Sequence, residues 1–189
     1  RAPRNAAQEA KDRTAYVNKQ SAPQVKQVST GKTSWCNLPP WMDPVAQSFQ
    51  VTTTGGIFLS KLDLYFSSKS TTMPVTVQIR TMNNGYPTRE VVPFGEVTID
   101  AADINTSANA TTATTFSFPS PVYLQQQQEY AFVVLANTAE YTIYTARMGQ
   151  RTIDDARLIS KQPYLGSMFK SQNASTWTAE QNEDIMFDI

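Results

Sequence analysis

The sequence predicts an all-β protein, an antiparallel and jelly-roll-like β-sandwich preceded by an extended N-terminal arm. Three observations point there. From Ala46 onward apolar and polar residues alternate with period two. The alternating runs are rich in β-branched and aromatic residues. Between them fall turn-forming clusters of Gly, Asn and Pro, with no helical crossover, as consecutive antiparallel strands require.

The predicted strands are Ala46–Val51, Ile57–Phe66, Val75–Met82, Gly95–Ile99, Thr115–Phe118, Val122–Leu124, Tyr130–Leu135, Tyr141–Ala146 and Asp184–Ile189. Reversals are expected at Thr54-Gly55-Gly56, Asn83–Pro87, Phe118–Pro121 and Asn137–Glu140. Asp100–Thr114 is small and polar and reads as a long surface loop. Gly149–Asn182 carries too few alternations for continuous sheet and reads as an ordered excursion before the last strand. If the sandwich forms, Phe49, Leu62, Leu64, Phe66, Val77, Ile79, Phe132, Val134 and Ile143 should point inward.

Residues 1–44 are different. Ala6–Ala15 has helix-forming composition without an apolar stripe, and three prolines interrupt Leu38–Pro44. The domain division is therefore an arm over 1–44 and a sandwich over 45–189. Trp35, Trp41 and Met42 are large apolar groups on that arm and need a covering surface, either this domain or a neighbouring subunit, which makes them candidates for docking on a partner.

Composition narrows the function. The 189 residues carry sixteen Lys+Arg against sixteen Asp+Glu, and only 17% are charged, so no basic field for nucleic acid is expected. With no histidine, His-based triads and most catalytic zinc sites are excluded. The single cysteine, Cys36, allows no intrachain disulfide or CxxC pair, and without an activating histidine it reads as a small buried hydrophobe. No apolar run approaches the ~20 residues of a membrane span. The chain opens at Arg1 and stops at Ile189 inside a strand pattern, so it is expected to be a piece of a longer polypeptide.

An ordered series of phrases carries a resemblance. Gln47-Ser48-Phe49 with a Gly-Gly turn, Leu62–Phe66, Val75–Ile79, Gly85-Tyr86-Pro87, Thr115–Leu124 and Glu129–Leu135 together resemble a sugar-binding-like β-sandwich module over residues 46–145. Met82–Pro87, Gln162–Asn173, Thr176-Trp177-Thr178 and Glu183-Asp184 are similar to phrases of tail and baseplate structural proteins of large contractile-tailed bacteriophages. That resemblance implies a non-enzymatic segment of a virion, packed against other tail or baseplate subunits, and it supplies no catalytic or ligand motif.

Other constellations are weaker. Asp100 with Asp103, Asp154 with Asp155, and Glu180, Glu183, Asp184 and Asp188 are local groups of carboxylates. A glycosidase needs two facing carboxylates at a set separation, so solvated loop acids are the better reading. Asp100, Asp103 and Asn105 lack the spacing of an EF-hand, and no metal ligand or cofactor is assigned. Gln125–Gln128 reads as a polar turn. The Asn-x-Ser/Thr triplets at Asn105, Asn109 and Asn173 read as chance in an Asn/Thr-rich chain. The alternative function is a carbohydrate-binding module for host-surface glycan, with Tyr86, Asn83, Asn84 and Trp177 as candidate contacts, because a sugar ring has an apolar face and a polar edge. For each aromatic taken singly, packing is the competing role.

Overall fold

Period-two patterning builds two antiparallel sheets that pack face to face. The computed structural model describes residues 42–153, 155, 157–160 and 166–189. Its strands are β1 (Val45–Gln50), β2 (Ile57–Ser68), β3 (Val75–Asn83), β4 (Tyr86–Ile99), β5 (Ala113–Leu124), β6 (Glu129–Ala136), β7 (Thr142–Ile143), β8 (Thr145–Arg147), β9 (Met168–Ser171), β10 (Trp177–Glu180), β11 (Glu183–Ile185) and β12 (Phe187–Asp188). A six-stranded sheet runs β10-β9-β1-β6-β3-β4. The facing four-stranded sheet has β2 at its centre, with β5 on one side and the short β12 and β7 on the other. A separate pair, β11 with β8, joins Glu183–Ile185 to Thr145–Arg147.

The space between the sheets is filled as the alternation predicts. Phe49, Leu62, Leu64, Phe66, Val77, Ile79, Phe132 and Val134 are buried in one cluster, and Ile143 packs against it half-buried. Phe132 stands at the crossing, its ring 6.5 Å from Phe49 on β1 and 4.9 Å from Phe187 on β12.

The pattern does not announce a second cluster on the outer face of the six-stranded sheet. Ala46, Val133, Leu135, Phe169, Ala174 and Trp177 are buried there. The segment joining β9 to β10 covers that face and is tied down by Arg80, whose Nη1 donates to the Ala174 carbonyl at 2.7 Å. β6 is consequently buried on both faces, which explains why Tyr130–Leu135 reads as an almost unbroken apolar run.

Several predicted boundaries shift, each for a local reason. Phe118–Pro121 is not a reversal: β5 continues through both prolines. β5 pairs only with β2, and Pro119 and Pro121 fall in the stretch where its register against β2 shifts and no residue is paired, so their missing N–H groups remove no ladder bond. β4 is likewise an edge strand; it starts at Tyr86 and carries Pro87 and Pro93, where Gly95–Ile99 alone was expected. Asp184–Ile189 is two strands, because the chain leaves β8 after Ile185 and joins β2 at Phe187. Tyr141–Ala146 likewise divides at Tyr144 into β7 and β8. The excursion over 149–182 contributes β9 and β10, which extend the six-stranded sheet. Met42 is already part of the sandwich, since its N–H donates to the Ala136 carbonyl at 2.9 Å. Residues 1–41 of the predicted arm, with Trp35, Cys36 and Trp41, lie outside the described residues.

The two clusters share β6, so damage to either should lower one common unfolding transition. Phe132→Ala should cost about 3–5 kcal/mol and Leu135→Ala about 2–5 kcal/mol. Urea unfolding followed by both fluorescence and far-UV circular dichroism checks this. A separate early transition for Leu135→Ala would mean that the outer cluster folds independently.

Candidate functional site

The residues nominated for sugar contact come together only in part. Asn84 and Gly85 both have positive φ, at 51° and 77°, so they form the tight turn between β3 and β4 that an Asn-Gly pair favours. Asn83 and Asn84 are exposed on that turn. Tyr86 is half-exposed, with one side of its ring against Phe169 at 5.9 Å. Trp177 is a correction: it is only 7% exposed, sits in the outer cluster and presents no face to a ligand. Tyr86 is thus the only exposed aromatic of the proposed set, and the packing role holds for Trp177.

Of the docking candidates, Met42 is described. It is half-buried and lines a small cleft with Val45, Phe66, Ala136, Tyr141 and Ile143. A wider, polar groove of about 670 Å³ runs beside β9 and β10, walled by Asp43, Lys170, Asn173, Thr178 and Glu180 among others. Asn173 is committed to its own turn, with Oδ1 accepting from the N–H groups of Ser175 and Thr176.

The carboxylate groups are dispersed. Asp100 and Asp103 are exposed, while Asn105 is used internally, donating from Nδ2 to the Ala113 carbonyl at 3.0 Å. Asp155 is exposed and pairs with Arg151 at 3.5 Å; Asp154 lies outside the described residues. Among the described residues no cluster of three or more His, Cys, Asp or Glu could hold a metal ion, and no helix is long and apolar enough to cross a membrane.

One polar constellation is fully buried. Gln47, on the core-facing side of β1, donates from Nε2 to Asp184 Oδ1 at 3.0 Å and accepts at Oε1 from the Ile185 N–H at 3.0 Å. This clamp ties the C-terminal β11 to β1. Asp184 is 1% exposed, and its Oδ2 has no hydrogen-bond partner among the described residues. Burial pushes its carboxyl above the ordinary value, and the Gln47 amide only partly opposes this. Its neighbour Glu183 goes the other way. There burial also works upward, but the Thr145 hydroxyl, Lys170 and Arg147 outweigh it and hold the carboxyl below the ordinary value.

Two exposed apolar regions escaped the reading of site residues. Phe58 on β2 and Tyr123 on β5 face each other across the outer side of the four-stranded sheet, 71% and 48% exposed, with ring centroids 5.2 Å apart. A hairpin after β8 carries Met148, Ile153 and Leu158 at 41%, 62% and 62% exposure. The signal for Phe58 was an aromatic residue in a strand whose parity breaks. Leu59 and Leu62 are both buried although an odd step separates them, which requires the register shift between Leu59 and Lys61.

No family model, curated protein or solved structure matches the chain significantly.

The two adjacent carboxylates make opposite contributions to stability against pH. Asp184, raised on folding, contributes stability that is complete below the unfolded carboxylate value and is lost as pH rises through its folded value. Asp184→Asn should therefore be more stable than the parent at pH 8, with the gain vanishing toward pH 3. Glu183, lowered on folding, contributes stability above its unfolded value that is lost in acid. Glu183→Gln should accordingly destabilise at neutral pH and leave acid stability unchanged. Urea midpoints measured across that pH range check both signs.

Proposed function

We propose that this chain is a non-enzymatic structural segment of a bacteriophage tail or baseplate, whose sandwich packs against neighbouring virion subunits. The observation that carries the reading is the hairpin between β8 and β9. Its backbone is closed by Gly149 N–H donating to Ile159 O and Ile159 N–H donating to Gln150 O, both at 2.9 Å. Thr152 and Arg157 add a further rung, again at 2.9 Å.

None of its described side chains enters either buried cluster. Met148, Ile153 and Leu158 are nevertheless large, aliphatic and exposed on an ordered projection. Leaving such groups in water forfeits roughly 1.5–3 kcal/mol of burial free energy for each. A projection with that composition suits insertion into the surface of another subunit. Arg151 and Arg157, exposed on the same hairpin, and Arg147 at the end of β8 are charged residues of the kind found at the rim of an interface. The tail-protein phrases at Met82–Pro87 and Gln162–Asn173 support the same setting.

The test is the double substitution Ile153→Ser with Leu158→Ser. Because both side chains are exposed, the purified chain should keep its stability to within about 0.5 kcal/mol. In complementation of particles lacking the parent protein, assembly should fall by about tenfold or more. Undiminished assembly would sink the proposal, and so would a large loss of intrinsic stability, which would place these side chains in the fold and not at an interface.

A further inference from the structure

At one end of the sandwich the segment after β1 and the segment after β5 lie side by side. The Gln127 N–H donates to the Val51 carbonyl at 2.7 Å, and the Val51 N–H donates to the Gln128 carbonyl at 3.1 Å. Together they present Thr52–Thr54 and Gln125–Gln128, and no charged residue occurs in 51–60 or 111–128. Immediately beside this neutral, amide-rich tip stand the exposed rings of Phe58 and Tyr123.

These rings are held in place. Tyr123 OH donates to the Gly55 carbonyl at 3.1 Å, and the Gly55 N–H donates to Gln126 Oε1 at 3.0 Å. The Tyr123 ring rests over Gly56, where an added Cβ would stand 2.9 Å from its Cε2 and 2.5 Å from the Leu124 oxygen. Phe58 leans on Tyr123 at an interplanar angle of 49°. The side chains are therefore arranged before any ligand arrives, which lowers the entropic cost of binding.

We infer that this tip binds a neutral saccharide. Phe58 and Tyr123 receive the C–H face of a sugar ring, while the glutamines and threonines meet its hydroxyls. An aromatic face is complementary to the apolar face of a pyranose. A sugar hydroxyl both donates and accepts, and primary amides and hydroxyls do the same. A charged ligand would find no countercharge in either segment. This goes beyond the packing role, because the saccharide tip and the β8–β9 hairpin share no residue. It also moves the sugar-binding surface from the turn at Asn83–Tyr86 to the glutamine-rich turn before β6.

The experiment is an NMR titration of the 189-residue chain with cellohexaose, maltohexaose, mannohexaose and chitohexaose. At least one should produce saturable shifts at residues 53–58 and 123–128, with a Kd between about 10 µM and a few mM. Phe58→Ala and Tyr123→Ala should each weaken binding by about tenfold or more. Phe58→Leu keeps apolar bulk without a flat face and should weaken it as much, whereas Tyr86→Ala should bind like the parent. Near-UV circular dichroism establishes that each variant is folded. Absence of shifts from all four sugars at about 10 mM would overturn the inference. So would parent-like binding by Phe58→Leu, or shifts centred on Asn83–Tyr86. The Ile153/Leu158 double variant should titrate like the parent, so failure here and failure of the packing proposal are separable.

Discussion

The described structure depends on a strand that has no solvent face. β6 lies between β1 and β3 in the six-stranded sheet, and from Tyr130 to Ala136 every one of its residues is buried. Tyr130, Phe132, Val134 and Ala136 belong to the layer between the sheets; Val133 and Leu135 belong to the outer cluster. Covering both sides of one strand requires a second layer, and the chain supplies it late, from the segment around Phe169, Ala174 and Trp177. Arg80 is the polar component of that cover, bonding to the Ala174 and Thr88 carbonyls and to the Gln78 side chain. The C-terminal strands close the structure through the Gln47–Asp184 clamp and the Phe132–Phe187 contact. Residues near the start of the sandwich thus wait for residues near its end, and such non-local pairing favours slow folding.

How much of this could be read in advance differs by element. Inward-facing residues of β2, β3 and β6 were legible, because half-buried or fully buried strands leave a direct pattern of apolar residues. The long β4 and β5 were not, since prolines read as breaks unless edge position is known, and edge position is a property of the whole sheet. The two-way split of Asp184–Ile189 was hidden for a similar reason. Both halves alternate correctly, and only the partners change.

The candidate sites follow the same logic. Trp177 drew attention as a large aromatic near a polar stretch, yet a linear pattern carries no sign of an outer cluster assembled from β1, β6, β9 and β10. Phe58 was lost in the other direction. Extending the parity of Leu62, Leu64 and Phe66 backward carries it inward, and the register shift between Leu59 and Lys61, where Ser60 alone lies opposite Phe118–Pro121 of β5, turns it out. Asp184 stood among acids taken as solvated, and only the fold places it against Gln47. The glutamine run was correctly seen as a turn, but its company with Thr52–Thr54 depends on two backbone bonds between distant segments.

The prolines of the edge strands have a consequence for aggregation. An open, regular strand edge is a template on which another strand can grow, and identical neighbours make runaway polymerisation a standing hazard. Here β5 is interrupted by Pro119 and Pro121, β4 by Pro87, Pro93 and a left-handed Phe94, and β10 is only four residues long. Main-chain recruitment of further copies is thereby discouraged along these borders. Any association is then left to side-chain surfaces, where geometry can be selective and the stoichiometry finite.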